Sequence, residues 1–233
     1  MLTLVATPIG NLQDITLRSL EALRDADVIA CEDTRTTRVL LQKHNITGRL
    51  VSFHAYNESN SANGLVQLML AGQSVALVTD AGTPGIADPG YSLLKLALAN
   101  GIECTMTPGP CALVMALALS GLPSHSFTFR GFPPRKSAAR KKFFAVDQHS
   151  EHTLIFYESP HRIIKSIQDA FEIYGDRDAA IGNDLTKKFE KIERGSLSNL
   201  TSLIASKSPK GEYVLLIAGN SGNFLPADEA VIE

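Results

Sequence analysis

The stretch Val75-Ala76-Leu77-Val78-Thr79-Asp80-Ala81-Gly82-Thr83-Pro84-Gly85-Ile86-Ala87-Asp88-Pro89-Gly90 decides the fold. Its first four residues form an uninterrupted apolar run, the mark of a strand buried on both faces. A loop rich in glycine and proline follows, and then helical periodicity resumes. Strand, loop and helix in that order are the repeating unit of an α/β sheet, whose ligands collect at the carboxyl ends of the strands. Gly82, Gly85 and Gly90 allow close approach of a ligand to the backbone, because no Cβ intervenes. Asp80 and Asp88 place carboxylates on either side of the loop. Taken alone, the loop predicts a ligand pocket without specifying the ligand.

The same alternation extends in both directions. Leu2–Ala6 reads as a buried strand emptying into Pro8-Ile9-Gly10-Asn11, and Leu17, Leu20 and Leu23 share one helical face behind Asp14 or Thr16 as N-cap. Val28–Cys31 is the next strand; it runs into Glu32-Asp33-Thr34-Arg35, where Thr34 can cap a helix carrying Val39, Leu40 and Leu41. After the glycine-rich loop, Asp88 is the expected N-cap, Pro89 the first helical residue and Gly101 the stop. A second unit opens near Pro108-Gly109-Pro110, with a helix through Met115 and Leu119 halted at Gly121. Phe127–Phe129 and Thr153–Tyr157 read as strands. Ser159-Pro160 starts a helix whose apolar residues Ile163, Ile167, Ala170 and Tyr174 end at Gly175, and Tyr213–Ala218 is a last buried strand. The predicted organisation is two α/β domains, 1–108 and 109–233.

Bulk properties narrow the function classes. The chain has 233 residues, a formal net charge of -2 and a pI near 6.3, so it is not coated in basic charge, although a local cationic patch remains open. Cys31, Cys104 and Cys111 form no CxxC pair, which predicts reduced thiols and no zinc cluster. The histidines show no metal-ligand spacing, so no metal site is expected. The start of the chain lacks the basic and apolar regions of a signal peptide, and Cys111–Leu119 is far shorter than the roughly 20 residues of a membrane span. A cytoplasmic protein without a membrane partner is expected. The absence of GxSxG, P-loop and GxGxxG patterns argues against an acyl hydrolase, an NTPase and a Rossmann dehydrogenase.

Four loops after predicted strands have unusual composition: Thr7–Thr16, Glu32–Arg35, Asp80–Gly90 and Glu158–Arg162. If the strands are parallel, these loops converge on one rim and present backbone N–H groups, carboxylates and Arg35, Arg38 and Arg162. The plainer alternative is that each is a helix cap and turn. His54, in Phe53-His54-Ala55-Tyr56-Asn57-Glu58, is a base, an RNA contact or an ordinary surface residue. Arg130, Arg135, Lys136, Arg140, Lys141 and Lys142 fall in a window with no acid, broken by Phe132, Pro133 and Pro134. Such a segment either grips phosphates, with Phe132 free to stack on a base, or is a solvated face. In Lys187, Lys188, Glu190, Lys191, Glu193 and Arg194 the signs alternate, as in a solvated or ion-paired segment.

The ordered motifs go further. Val5-Ala6-Thr7-Pro8-Ile9-Gly10-Asn11-Leu12 with Asp14-Ile15-Thr16 resembles the opening of the ribosomal RNA small subunit methyltransferase I family, in the tetrapyrrole methylase superfamily. Glu32-Asp33-Thr34-Arg35, His54 with Asn57-Glu58, Asp80-Ala81-Gly82-Thr83-Pro84 and Asp88-Pro89-Gly90-Tyr91 follow in family order. So do Pro108-Gly109-Pro110-Cys111-Ala112, Gly121-Leu122-Pro123, Gly131-Phe132-Pro133, Phe156-Tyr157-Glu158-Ser159-Pro160-His161-Arg162, Leu185-Thr186-Lys187 with Glu190, and Gly211-Glu212. The likeness runs from about Leu2 to Gly219.

This resemblance implies the class III methyltransferase fold, two α/β domains with a cofactor cleft between them, and a homodimer. It implies S-adenosyl-L-methionine-dependent 2′-O-methylation of a cytidine ribose in 16S ribosomal RNA, with the small ribosomal subunit or its RNA as partner. By similarity, Ala81, Gly82, Thr83, Pro110, Cys111, Ala112 and Tyr157 line the cofactor, with Thr186 and Gly211 toward the adenosine. Arg35 and the Arg130–Lys142 cations would face RNA. Asp33 is the first expectation for a catalytic base, ahead of His54, Glu32, Glu158 and His161, with Lys187 an electrostatic helper. Family members often continue into a helical tail, whereas Asn220–Glu233 follow the last predicted strand here. Asn183-Asp184 replaces a more usual Arg-Glu, and Ala87 stands where serine is common. Fold alone leaves two competing functions: a C-methyltransferase of corrin precursors, and a catalytically idle RNA-binding assembly factor.

Overall fold

A computed structural model describes residues 1–53 and 58–220 (for 58–60, the backbone alone); His54 and Asn57 lie outside the described residues. The chain divides into two compact units, Met1–Ala112 and a second that begins at Leu113.

In the first unit β1 (Leu2–Val5) leads through a 3-10 turn, Leu12–Asp14, to α1 (Leu17–Asp25). There follow β2 (Val28–Cys31), α2 (Thr34–Lys43), β3 (Leu50–Ser52), α3 (Glu58–Leu70), β4 (Val75–Val78), α4 (Tyr91–Ala99) and β5 (Cys104–Thr107). The strands lie in the order β3-β2-β4-β1-β5, and every pairing is parallel. All residues of β1, β2 and β4 are buried, as their apolar runs predict. Period-two alternation divides them between two cores. Leu2, Leu4, Val28, Ala30, Val75 and Leu77 pack with Leu65, Val66 and Met69 of α3 and with Leu93 and Ala97 of α4. Val5, Ile29, Cys31, Ala76 and Val78 pack with Leu20 and Leu23 of α1 and with Leu40 and Leu41 of α2. Helices therefore cover both faces of the sheet.

Three helix starts carry information for the site. Thr16 caps α1, its hydroxyl accepting from the Ser19 N–H at 3.1 Å. Asp33, and not Thr34, caps α2, with its carboxylate accepting from the Arg35 N–H at 2.8 Å. The α4 helix starts at Tyr91 with Gly90 as N-cap, so Asp88 and Pro89 fall before it. Gly90 has φ 139°, and a Cβ there would lie 3.1 Å from the Leu77 side chain; only glycine fits, and Asp88 is released from capping.

The second unit holds α5 (Ala112–Ser120), β6 (Phe127–Phe129), α6 (Ser137–Ala145), β7 (Thr153–Glu158), α7 (Ile163–Tyr174), β8 (Asp178–Asn183), β9 (Lys191–Ser196), α8 (Leu197–Ala205) and β10 (Tyr213–Ile217). Its sheet runs β6-β7-β10-β8-β9, parallel only between β6 and β7. Leu154, Phe156, Ile181, Leu215 and Ile217 pack against Phe144, Ile163, Ile167, Leu197 and Leu200. The sign-alternating segment runs into the edge strand β9, whose Lys191, Glu193 and Arg194 guard an open row of backbone groups.

Arg140 and Asp169 join α6 to α7. Arg140 is 2% exposed; its Nε donates to Asp169 at 2.8 Å and its second terminal nitrogen meets the same oxygen at 2.5 Å. Ser137 donates to the other Asp169 oxygen at 2.8 Å. Removing one partner of such a pair leaves a buried charge without compensation. Asp169→Ala should therefore cost about 3–5 kcal/mol in urea unfolding, while Arg140→Met with Asp169→Leu recovers most of it.

Candidate active site

The order β3-β2-β4-β1-β5 places a topological switch point between β4 and β1. The chain leaves β1 toward β2 by way of α1, on one face; it leaves β4 toward β5 by way of α4, on the other. The crevice outside the carboxyl ends of two such strands is where open α/β sheets bind ligands. Here the loops are stitched together. Thr7 and Gly82 exchange both backbone hydrogen bonds, at 2.9 and 3.0 Å, and the Thr7 hydroxyl donates to the Thr79 carbonyl at 3.0 Å. The Thr83 hydroxyl donates to the Pro110 carbonyl at 3.1 Å, drawing in the loop after β5. The Asp33 N–H donates to the Asp80 carboxylate at 3.0 Å, drawing in the loop after β2. Gly109 lies so close to β1 that a Cβ on it would stand 2.8 Å from the Ala6 Cβ.

Three of the four loops expected to converge therefore share one rim, and the segment Pro108-Gly109-Pro110 joins them. Ala81, Gly82, Thr83 and Pro110 are collected there, with Cys111 and Ala112 next in the chain. The fourth loop, Glu158–Arg162, belongs to the second unit. At the opposite, amino-terminal edge of the first sheet a hollow of about 240 Å³ opens beside Met1, Thr3, Arg18, Glu21 and Ser74.

The rim is acidic, and its carboxyl groups are not equivalent. Asp33 accepts from Arg35 at Nε (3.1 Å) and at a terminal nitrogen (2.6 Å) as well as from the Arg35 N–H. Those hydrogen bonds pull its pKa down to about 2. A carboxylate so stabilised is a helix cap and an ion-pair partner, and a weak acceptor for a substrate proton. Asp80 is pushed up by burial, which outweighs the opposing pull of the hydrogen bond from the Asp33 N–H. Asp88 is pushed up to about 7, by burial first and then by the negative charges of Glu32 and Asp80. It follows Ala87, which is held at φ 64°, in a loop where Gly82 and Gly85 also have positive φ. Sequence reading placed Asp88 in a cap. Its shifted pKa comes from burial first and then from Glu32 and Asp80, and of these Glu32 is brought to it by the sheet order, from the loop after β2. Among the described residues no three His, Cys, Asp or Glu side chains converge as metal ligands.

In the second unit, the Tyr157 hydroxyl accepts from the Leu113 N–H at 3.2 Å, and its ring meets Phe129 and Phe132 edge-on at 4.8 and 5.6 Å. Thr186 has φ 65° and a buried hydroxyl with no hydrogen-bond partner, while its N–H donates to Glu190 at 2.6 Å. Gly211 has φ 82°, and a Cβ there would collide with the Asp184 carboxylate. Lys187 meets Glu212 at 2.8 Å and Asp184 at 3.3 Å. Burial works against its charge, but those two carboxylates outweigh it and the net shift is upward. Lys187 is thus held inside an ion-pair network. Glu158 is likewise engaged, accepting from Ser166 and the Ser159 N–H and pairing with Arg162 at 2.5 Å.

The cationic segment separates into two sets. Arg140 is buried against Asp169 and has no surface to offer RNA, which corrects its assignment as an RNA contact. Arg130 faces Asp147 at 3.0 Å, as an ion pair too skewed for a hydrogen bond, and lies over the Phe143 ring. Lys141 pairs with Glu172 at 2.5 Å. Asp147, Asp169 and Glu172 all lie outside the acid-free window, so a local reading could not see them. Arg135, Lys136 and Lys142 remain exposed, without a side-chain partner among the described residues. Arg35 is 86% exposed at its side chain but is committed to Asp33.

The Asp88 shift has a measurable consequence. Its carboxyl has a folded pKa of about 7, against 3.8 for a free aspartate, so the folded chain holds more protons between those values. Stability should therefore fall as pH rises through this window. Asp88→Asn should remove that slope, so that the variant unfolds at higher urea than the parent at pH 8 and at a similar concentration at pH 4.

Comparison with known proteins fits this geometry. Residues 1–201 match the family described as Tetrapyrrole (Corrin/Porphyrin) Methylases. The chain is 46% identical to a Vibrio cholerae protein named Ribosomal RNA small subunit methyltransferase I, over 99% of this chain and 82% of that one. It is 42% identical to a Halalkalibacterium halodurans protein of the same name, over 97% and 78%. Among solved structures, a cobalt precorrin-4 methyltransferase of cobalamin biosynthesis superposes with a TM-score of 0.69 over 93% of this chain and 94% of that one. At 18% identity, that likeness shows the fold alone. With a full-length likeness on one side and a shared fold on the other, the chain belongs to the tetrapyrrole methylase family and, within it, to the ribosomal RNA small subunit methyltransferase I group.

Proposed function

We propose that this chain transfers the methyl group of S-adenosyl-L-methionine to the 2′-oxygen of a cytidine ribose in 16S ribosomal RNA, within the small ribosomal subunit. The observation that carries the proposal is the likeness, over nearly its whole length, to relatives named for methylation of that RNA. The homodimer rests on the same likeness.

The residues fit the cofactor. Gly109 packs its backbone against Ala6, where a Cβ would collide, and this holds the loop after β5 against the rim. Glu32, Asp80 and Asp88 together favour a cation, and the cofactor carries a sulfonium. Thr186 keeps a buried hydroxyl without a partner. When bound, S-adenosyl-L-methionine supplies the activated methyl group. Ala81, Gly82, Thr83, Pro110, Cys111 and Ala112 are the first unit's candidates to hold it; Tyr157, Thr186 and Gly211 are those of the second.

A ribose hydroxyl attacks well only as it loses its proton, and a general base is most effective with a pKa near the working pH. Asp88, at about 7, meets that condition, and Asp33, at about 2, does not. We therefore move the role of base from Asp33 to Asp88 and give Asp33 the task of setting α2 and, through its N–H, Asp80. Lys187 orients Glu212 and Asp184. His54 lies outside the described residues. Arg135, Lys136 and Lys142 are the cations available to RNA phosphates.

The test is transfer of labelled methyl to small subunits from a strain lacking this modification, followed by ribose-methyl mapping. Label on one cytidine 2′-oxygen is expected; label on a corrin precursor, or cofactor binding without transfer to RNA, would contradict the proposal. In single turnover, Asp88→Asn should lose about 10²- to 10⁴-fold in rate, and the parent's rate should rise with pH to a plateau, its inflection drawn below the ligand-free value of about 7 by the bound sulfonium. Asp33→Asn should lose far less.

A further inference from the structure

Phe132 stands out among the exposed apolar residues. It is 55% exposed, in a loop whose backbone is fixed on every side. Gly131 accepts from the Tyr157 N–H at 3.0 Å, and the preceding Arg130 N–H donates to Ile155 at 3.0 Å. The Pro133 carbonyl accepts from Arg162 at 3.1 Å. The Pro134 and Arg135 carbonyls both accept from Arg140, at 3.2 and 3.1 Å. Each of these arginines is fixed in turn by a buried carboxylate, Arg162 by Glu158 and Arg140 by Asp169. Two ion pairs therefore clamp three consecutive carbonyls of an exposed loop.

The clamp keeps the loop's own side chains outside. The edge-on contact with Tyr157, at 5.6 Å and 62°, steadies the Phe132 ring but covers only part of it. Three and four residues on, Arg135 and Lys136 are exposed and without side-chain partners among the described residues, and no acid lies between Arg130 and Lys142. A rigid exposed ring beside free cations is the combination that binds single-stranded nucleic acid, in which bases stack and phosphates are neutralised.

We infer that Phe132 is a stacking platform for an unpaired base of the RNA substrate, with Arg135 and Lys136 holding the phosphates beside it, and that Arg140 and Arg162 are positioning residues for this platform. The inference rests on the proposed reading of the chain as an RNA methyltransferase and adds the element that holds the strand. Without the ring, a base would lose its stacking partner while the cations still attracted phosphate. Without the cations, stacking would persist and the dependence on salt would weaken.

The test uses the full chain and a short single-stranded RNA carrying 2-aminopurine, followed by fluorescence. Phe132→Ala should weaken binding on the order of 10-fold and abolish the quenching that stacking gives, while Phe132→Trp restores both. Arg135→Ala with Lys136→Ala should keep the quenching at saturation but reduce the slope of log affinity against log salt by about 1.4, or about 0.7 for each charge. Affinity for S-adenosylhomocysteine, measured alongside, should be unchanged in all three variants, which separates the platform from a structural disturbance passed through Tyr157. If Phe132→Ala binds and quenches like the parent, or loses cofactor affinity in step with RNA, the platform is overturned. Failure of the broader reading looks different, because the parent itself would then transfer no methyl to RNA.

Discussion

The reciprocal pair of backbone hydrogen bonds between Thr7 and Gly82 is the constraint on which the candidate active site depends. It joins the loop after β1 to the loop after β4, two neighbouring strands from which the chain departs over opposite faces of the sheet. The geometry demands a residue at φ 84° beside Ile9 and Pro110, and Gly82 meets that demand without strain. With those two loops joined, Thr83 reaches Pro110 and Asp80 reaches the Asp33 N–H. Loops from four separate strands thus form one rim because a few short bonds close the gaps between them.

That rim also accounts for the electrostatics. No single loop carries an unusual charge. Glu32, Asp80 and Asp88 come from two loops, and their repulsion adds to the burial that holds the Asp88 proton near neutrality. Asp33 sits among the same groups yet stays ionised, because Arg35 and the start of α2 satisfy it. Two aspartates on one rim therefore have opposite character, set by hydrogen bonding in one and by desolvation in the other. The second unit uses carboxylates differently, pairing Glu158 with Arg162 and Asp169 with Arg140 to make an exposed loop rigid.

Much of the fold was legible in the sequence, for a physical reason: β1, β2 and β4 are buried on both faces, and that burial leaves apolar runs. Three of the four strands that were missed follow from the same rule. β3 has only three residues, β5 is half exposed, and β9 is a charged edge, so none of them is required to be apolar. The fourth, β8, is buried from Ala179 to Gly182, and its small residues leave no apolar run as marked as those of β1, β2 and β4. Local pattern also misplaced the start of α4, because Asp88-Pro89 satisfies a capping rule while the helix begins at Tyr91 behind Gly90, with no side-chain cap. In the site, the glycine-rich loops were visible as composition. The partners of Asp33, Arg140 and Lys141 were less so: Asp33 is tied to Arg35 two residues on, whereas Asp169 and Glu172 sit about thirty positions away and are joined only by the packing of α6 on α7. A one-sign run in sequence is thus not a one-sign surface in space.

The central claim is that the stitched rim between β4 and β1 holds the cofactor. A crystal structure of this chain with S-adenosylhomocysteine tests it most directly. The account predicts the ligand at the carboxyl ends of the strands, against Gly82, Thr83 and Pro110, with the Thr7–Gly82 pair intact. A ligand seated in the hollow beside Met1 and Arg18 at the opposite edge, with the rim untouched, would contradict it.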